Sequence, residues 1–393
     1  MKTNMTSRTN RATVFTSLML VLTSAALLSP ATMAEETAGD VLFWSQDKRD
    51  TEFGNIELHY PTREIKSANP TMALPYQPTD LSGVKYEVEG THYTLEDHMT
   101  SLHVGGLLVV HKGDIVYERY GLANDEDTRW IAFSVAKSVT SMLIGAAIQD
   151  GYIESVDDPV TDYLPRLKGG SYDGVTIENV LHMASGVDWN EDYFDPKSDV
   201  SIAGAANAME LIKHLNTLGK NAKPGDVFNY STGDTNLVGA ILRAAIGNNA
   251  SAYLEAKIWQ PYGMESDANW LIDGTYGVET GGCCLLATLR DYARIGLFAM
   301  NDGVLPDGTR VLPEGWMAAS TSPSKAYKGY GYLWWLRPNG TYAAQGIFGQ
   351  MIYINPKTET VIVTHSAWPK AVGDEFGAHR WAMVEAIESA LAK

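Results

Sequence analysis

Ser134 and Lys137 stand three residues apart in a run that reads Trp130, Ile131, Ala132, Phe133, Ser134, Val135, Ala136, Lys137, Ser138. Residues at i and i+3 share one face of a helix, so this spacing lets the amine reach the hydroxyl. A serine becomes a useful nucleophile when a neighbour takes its proton, and on this spacing that neighbour would be Lys137. The same spacing recurs at Ser45/Lys48 and Ser322/Lys325, so the pair alone is common. Context separates the three. Ser45 lies in a charged stretch, and Ser322 is followed by Pro323. After Ser134, by contrast, Val135, Val139, Met142, Leu143, Ala146 and Ala147 recur at helical spacing up to Gly151, which predicts a buried amphipathic helix with a C-terminal cap. Ser134 then opens a helix, whose N-terminus favours developing negative charge. A capping serine followed by a solvated lysine is the alternative.

Elements must position this pair. Residues 35 to about 100 carry scattered charges, prolines and tyrosines and read as an extended arm on a main domain spanning 101–393. Val104–Val110 and Ile115–Gly121 flank Lys112-Gly113-Asp114, a hairpin signal. A helical region of about 129–320 follows. It contains Ile177–Ala184 introduced by Thr176 and Asn179, Ser201–Leu218, Asp234–Ile246, and Tyr292–Met300 introduced by Thr288 and Asp291. The C-terminal third returns to strands at Tyr330–Leu336, Thr341–Gln345, Gln350–Ile354 and Val361–His365, and closes with a helix from about Asp374 to Leu391. Strands at 103–121 and 325–393 around a helical middle predict an α+β fold. One antiparallel sheet is built by both chain ends, with a helical subdomain inserted between them.

Bulk properties narrow the partners. The 393 residues allow a sizeable core, and the formal net charge is −17. That acidity argues against nucleic acid and anionic membrane surfaces as partners. Lys2, Arg8 and Arg11 precede an apolar run from Val14 to Leu28, and Ala31, Thr32 and Ala34 follow it. This reads as a signal peptide over 1–34 cleaved after Ala34, hence a secreted or periplasmic protein with no stable membrane anchor. Cys283 and Cys284 are adjacent and are expected to be two buried thiols, since bridging neighbours strains the chain. The nine histidines form no zinc pattern, so no metal and no cofactor are expected.

A serine–lysine pair needs a second proton handler and an oxyanion site. Asn229-Tyr230-Ser231-Thr232 places a tyrosine just before a helix start. With the Ser134/Lys137 element, residues 176–186, Gly281-Gly282, residues 289–296 and residues 312–316, this resembles the penicillin-recognising serine hydrolases. The match is to their class C β-lactamase-like branch, nearest its 6-aminohexanoate-dimer hydrolases and esterases. The resemblance covers about 103–393 and implies a β-lactamase/transpeptidase-like fold. It implies Ser134 as nucleophile, Lys137 as proton acceptor or electrostatic partner, and Tyr230 as the shuttle to the leaving group. Either Lys137 or Tyr230 could take the serine proton, and a neighbouring Lys137 cation would favour phenolate at Tyr230.

Two departures matter. The third residue of the Y-x-N motif is Thr232, and the strand that usually bears K-T-G reads Ala344-Gln345-Gly346-Ile347. A cation for a β-lactam carboxylate is therefore missing from that strand. The resemblance implies an oxyanion hole made by the backbone N–H groups of Ser134 and Ile347. Tyr193, Gln345 and Gly346 are candidate substrate contacts, with Tyr193 weighed against an ordinary loop aromatic. His182 and His365 read as core or strand-end residues, and Tyr330–Trp335 as a strand of packed aromatics. The expected function is an exported serine hydrolase that cleaves small carboxylic esters or linear amides through an acyl-enzyme on Ser134. A DD-peptidase or weak β-lactamase is the alternative within this chemistry, and a non-catalytic binding module the alternative outside it. The only expected partner is a small ester or amide; the pattern sets no oligomeric state.

Overall fold

The computed structural model describes residues 40–393, so the signal segment lies outside the described residues. The chain builds a six-stranded antiparallel sheet from its two ends, as the alternation of strands and turns predicts. Its strands are β1 (Val104–His111), β2 (Asp114–Tyr120), β3 (Trp335–Leu336), β4 (Tyr342–Gln345), β5 (Met351–Asn355) and β6 (Thr360–Ser366), in the order β2-β1-β6-β5-β4-β3. β1 is buried along nearly its whole length, which explains its continuous apolar run rather than an alternating one.

Four helices matter for the site: α1 (Val135–Gln149), α2 (Thr232–Ile246), α3 (Leu289–Met300) and α4 (Asp374–Leu391). Two of them begin or end where short polar chemistry dictates. The Ser231 side chain caps α2, which stops at Gly247 in a left-handed conformation, and the Thr288 side chain caps α3. Helix α4 matches its expected span. Gly296 lets α3 lie directly on the sheet: a Cβ there would come within 2.7 Å of Val361.

Other expectations are corrected. Ser201–Leu218 is two helices, Asp199–Ala205 and Ala208–Leu215, because Asn207 and Glu210 form a reciprocal capping box that starts a new helix. Tyr330–Leu336 narrows to the two-residue strand β3, since Leu333 takes a positive φ and the chain turns there. Region 40–100 contains a helix at Gln46–Glu52, a hairpin at Lys85–Thr94, and a strand, Thr62–Ile65. That strand joins a second sheet with Ala268–Leu271, Leu285–Ala287 and Trp130–Ile131. Cys283 and Cys284 lie in the turn that leads into Leu285–Ala287, with Cys284 buried and Cys283 half-buried. Among the described residues no helix is long and apolar enough to cross a membrane, and no cluster of His, Cys, Asp and Glu could hold a metal.

Candidate active site

Ser134 sits at the junction of the second sheet and α1. Strand Trp130–Ile131 delivers the chain to Phe133, whose φ of +43° turns it abruptly into the helix. A non-glycine residue in that region is strained and needs surrounding structure to hold it. Packing supplies the hold: the Phe133 ring lies 5.3 Å from Phe53 and 5.4 Å from Phe348, centroid to centroid. Phe348 itself has φ +57° and follows Ile347. The two donors expected for the oxyanion hole are thus each adjacent to a strained phenylalanine, and those phenylalanines pack on each other. Neither Ser134 N–H nor Ile347 N–H meets a backbone carbonyl among the described residues. The Ser134 side chain makes no capping bond to its own helix, which removes the capping-serine alternative and leaves Oγ for other partners.

Lys137, one turn on, is 1 % exposed. Its Nζ donates to Ser134 Oγ at 2.9 Å, Thr232 Oγ1 at 3.0 Å and Gly282 O at 2.7 Å. An ammonium has three N–H groups, and all are used. If one proton leaves, Thr232 and Gly282 can keep the remaining two, and the lone pair then faces the serine. Burial pulls the Lys137 pKa down to about 8, opposed by the Glu191 carboxylate. The Gly282 carbonyl reaches this point because Gly281 and Gly239 of α2 meet without side chains; a Cβ on Gly239 would lie 2.7 Å from the Gly281 Cα.

Tyr230 precedes the cap of α2, and its ring stacks on Trp335 at 5.4 Å. Lys137 Nζ lies 5.4 Å from the ring centroid. Burial and the Glu191 charge raise the phenol pKa above its ordinary value, while a hydrogen bond with Ser134 pulls it back. Of the two groups, the amine is the one whose pKa burial draws towards neutrality.

Glu191 went unseen in the sequence as a site residue. It accepts from Tyr193 Oη at 2.7 Å, from the Thr232 N–H at 2.9 Å, and from the Thr232 hydroxyl and Trp189 Nε1 at short range. Thr232 thus accepts from Lys137 and donates to Glu191. The residue that breaks the Y-x-N pattern is the link between the amine and a carboxylate on a separate loop. No local spacing announces that link, because Thr232 and Glu191 are 41 residues apart.

Ser134, Tyr193, Tyr230, Gln345, Gly346 and Ile347 line one cavity of about 470 Å³, with Glu191 on its wall; Lys137 faces an adjoining space of about 80 Å³ that shares Ser134, Tyr193 and Ile347. All seven expected site residues are therefore gathered around Ser134. Trp335 also lines the main cavity, so the Tyr330–Trp335 segment supplies a wall as well as core packing. Trp368, Trp381 and Arg380 complete the far side. His365 is buried against Trp130 with its pKa lowered to about 3, and His182 packs on Tyr332; neither borders the cavity.

Comparison with known proteins agrees with this geometry. A family model described as Beta-lactamase matches residues 94–385. The 6-aminohexanoate-dimer hydrolase of Paenarthrobacter ureafaciens is 29 % identical over 343 residues, covering 81 % of this chain and 85 % of the relative. Esterase EstB of Burkholderia gladioli is 28 % identical over 185 residues, covering 41 % of this chain and 46 % of the relative. A solved structure from Bacillus anthracis, named as a candidate 6-aminohexanoate-dimer hydrolase, has a TM-score of 0.78 at 22 % identity and covers 87 % of this chain and 94 % of its own.

Proposed function

The chain is a serine hydrolase of the Beta-lactamase family, and from that premise we propose that it cleaves small carboxylic esters or linear amides through an acyl-enzyme on Ser134. The observation that carries the reading is the 2.9 Å contact between Ser134 Oγ and a buried Lys137 whose pKa is lowered to about 8. An amine so placed is neutral in a useful fraction near neutral pH, when it can accept the serine proton.

In the first half-reaction Ser134 Oγ attacks the substrate carbonyl carbon while its proton passes to Lys137 Nζ. The carbonyl oxygen becomes an oxyanion between the Ser134 and Ile347 N–H groups, where preorganised donors lower the barrier. Collapse breaks the bond to the leaving alcohol or amine. That group takes a proton from the Tyr230 phenol, which recovers one from Lys137. Water then attacks the acyl carbon by the same route in reverse, releasing a carboxylic acid and regenerating Ser134. A protonated phenol suits the donor role, and a lowered-pKa amine suits the acceptor role.

The names of the relatives support linear amides and esters as the substrate class. Three tryptophans around the cavity, Trp335, Trp368 and Trp381, fit an unbranched carbon chain. The absent K-T-G cation weighs against strong β-lactamase action. Residues 1–34 support export, to be tested by the mature N-terminus, expected at Glu35. A panel of p-nitrophenyl esters, a linear amide dimer and nitrocefin, run beside Ser134→Ala, tests the assignment. Ester or amide turnover should exceed nitrocefin turnover and vanish in the variant. Near-native ester rates in folded Ser134→Ala would contradict it.

A further inference from the structure

Ser134 stands where two spaces meet. The main cavity and the adjoining annex of about 80 Å³ share Ser134, Tyr193 and Ile347, so both open on the point where the reacting carbonyl sits in the reading above. A carbonyl carbon whose oxygen is held by two N–H donors carries two further substituents, the acyl chain and the leaving group, and they depart in different directions. Tyr230, which protonates the leaving group in that reading, borders the main cavity and not the annex. The leaving group therefore points into the main cavity, and the annex is left for the acyl chain.

The annex is walled by segments remote from α1. Val41 and Leu42 come from a helical turn, Asp40–Phe43, in the arm that precedes the main domain. Val200 and Ala203 come from the helix Asp199–Ala205, which packs against that turn, and Leu271 and Phe133 complete the apolar lining. Val41, Val200, Ala203 and Leu271 are all buried, so core packing fixes most of this wall. The polar groups beside it are already spent. Lys137 uses its three N–H groups as described, Asn236 Oδ1 accepts from the Gly282 N–H at 2.8 Å, and the Thr280 hydroxyl donates to Cys283 O at 2.7 Å. Among the described residues no carboxylate and no second cation lines the annex. A polar acyl chain would lose water there and find no partner, whereas each methylene gains by burial. Size sets the limit: about 80 Å³ is roughly half the ~150 Å³ that admits a benzene ring, which leaves room for about three carbons.

We propose that Leu42 of the N-terminal arm and Ala203 of the facing helix are specificity-determining residues, which confine the acyl half of the substrate to a short apolar chain of about three carbons beyond the carbonyl. The inference rests on the acyl-enzyme reading and assigns the acyl side of its substrate class.

The test holds the leaving group constant and varies the acyl chain: 4-nitrophenyl acetate, butanoate and decanoate, each rate divided by that of hydroxide. A buried methylene is worth about fourfold in kcat/KM, so wild type should favour butanoate over acetate by about tenfold. Decanoate should fall about tenfold or more below butanoate, because the chain outgrows the annex. Leu42→Ala should raise the decanoate-to-butanoate ratio by about tenfold, and Ala203→Leu should bring the butanoate-to-acetate ratio down to about one. Unchanged ratios in cooperatively folding variants overturn the proposal. So does a response of Ala203→Leu confined to a series of alkyl acetates, which would put the leaving group in the annex. Should neither variant fold, wild type alone decides, and a flat series from acetate to decanoate overturns the proposal. Failure of the acyl-enzyme reading looks different, because Ser134→Ala would then keep its turnover; a flat series in wild type with an inactive Ser134→Ala removes this inference alone.

Discussion

Lys137 carries the pH dependence of this site. The amine acts only when neutral, so kcat/KM should rise with pH through an apparent pKa of about 8, the value to which burial lowers it. The Glu191 carboxylate works in the opposite direction, favouring the ammonium. Glu191→Gln should therefore move the limb to lower pH, a shift that loss of packing alone would not produce; a pH–rate profile of the two proteins checks it. Tyr230→Phe should reduce kcat by about two to four orders of magnitude, the range for a lost acid–base group, measured on an ester whose leaving group needs protonation. Ser134 and Lys137 were singled out by their place at a helix start, and Tyr230 by the family resemblance; the structure gathers all three around one cavity and its adjoining space. Glu191 and Arg380 were not. Glu191 acts through Thr232 on a different element, and Arg380 reaches the cavity from α4, so no local spacing records either.

At the scale of elements, the site depends on how closely β4 passes the chain leading into α1. A Cβ on Gly346 would lie 2.4 Å from the Ala132 carbonyl oxygen, two residues before Ser134. Gly346→Ala must push the Ile347 and Ser134 N–H groups apart. The expected result is a fall in kcat of about a hundredfold, as for one misplaced oxyanion donor, with a smaller change in KM, read by steady-state kinetics. Helix α4 was readable end to end. The helix expected over Ser201–Leu218 was not, because an alanine-rich run hid the capping box at Asn207. The positive φ values at Phe133 and Phe348 were equally hidden: phenylalanine gives no local signal for that conformation, and the mutual packing of the rings imposes it.

Across the molecule, the sheet that backs the site is completed only when the chain from Trp335 onward returns to strand β1. Helix α4 then buries Phe376, Met383, Val384 and Ile387 against the same core as Leu107, Val109 and Ile362. Four such side chains contribute about 6–12 kcal/mol on burial, comparable with the roughly 5–15 kcal/mol that holds a whole domain together. A chain ending at Val372 should therefore lose its cooperative thermal transition by calorimetry, and with it Arg380 and activity. Closure of one sheet by both termini was legible in the order of strands and turns. The second sheet was not, since Thr62–Ile65 and Trp130–Ile131 are too short to show a period and form by pairing with distant partners.

The convergence of a hydroxyl, an amine and a phenol on one reacting carbonyl is tested most directly by labelling with a fluorophosphonate and locating the adduct by peptide mass mapping. One phosphonyl group per chain is expected, on Ser134, with labelling lost in Ser134→Ala and accelerating as pH rises through about 8. An active enzyme that takes no label, or takes it on another residue, would contradict the account.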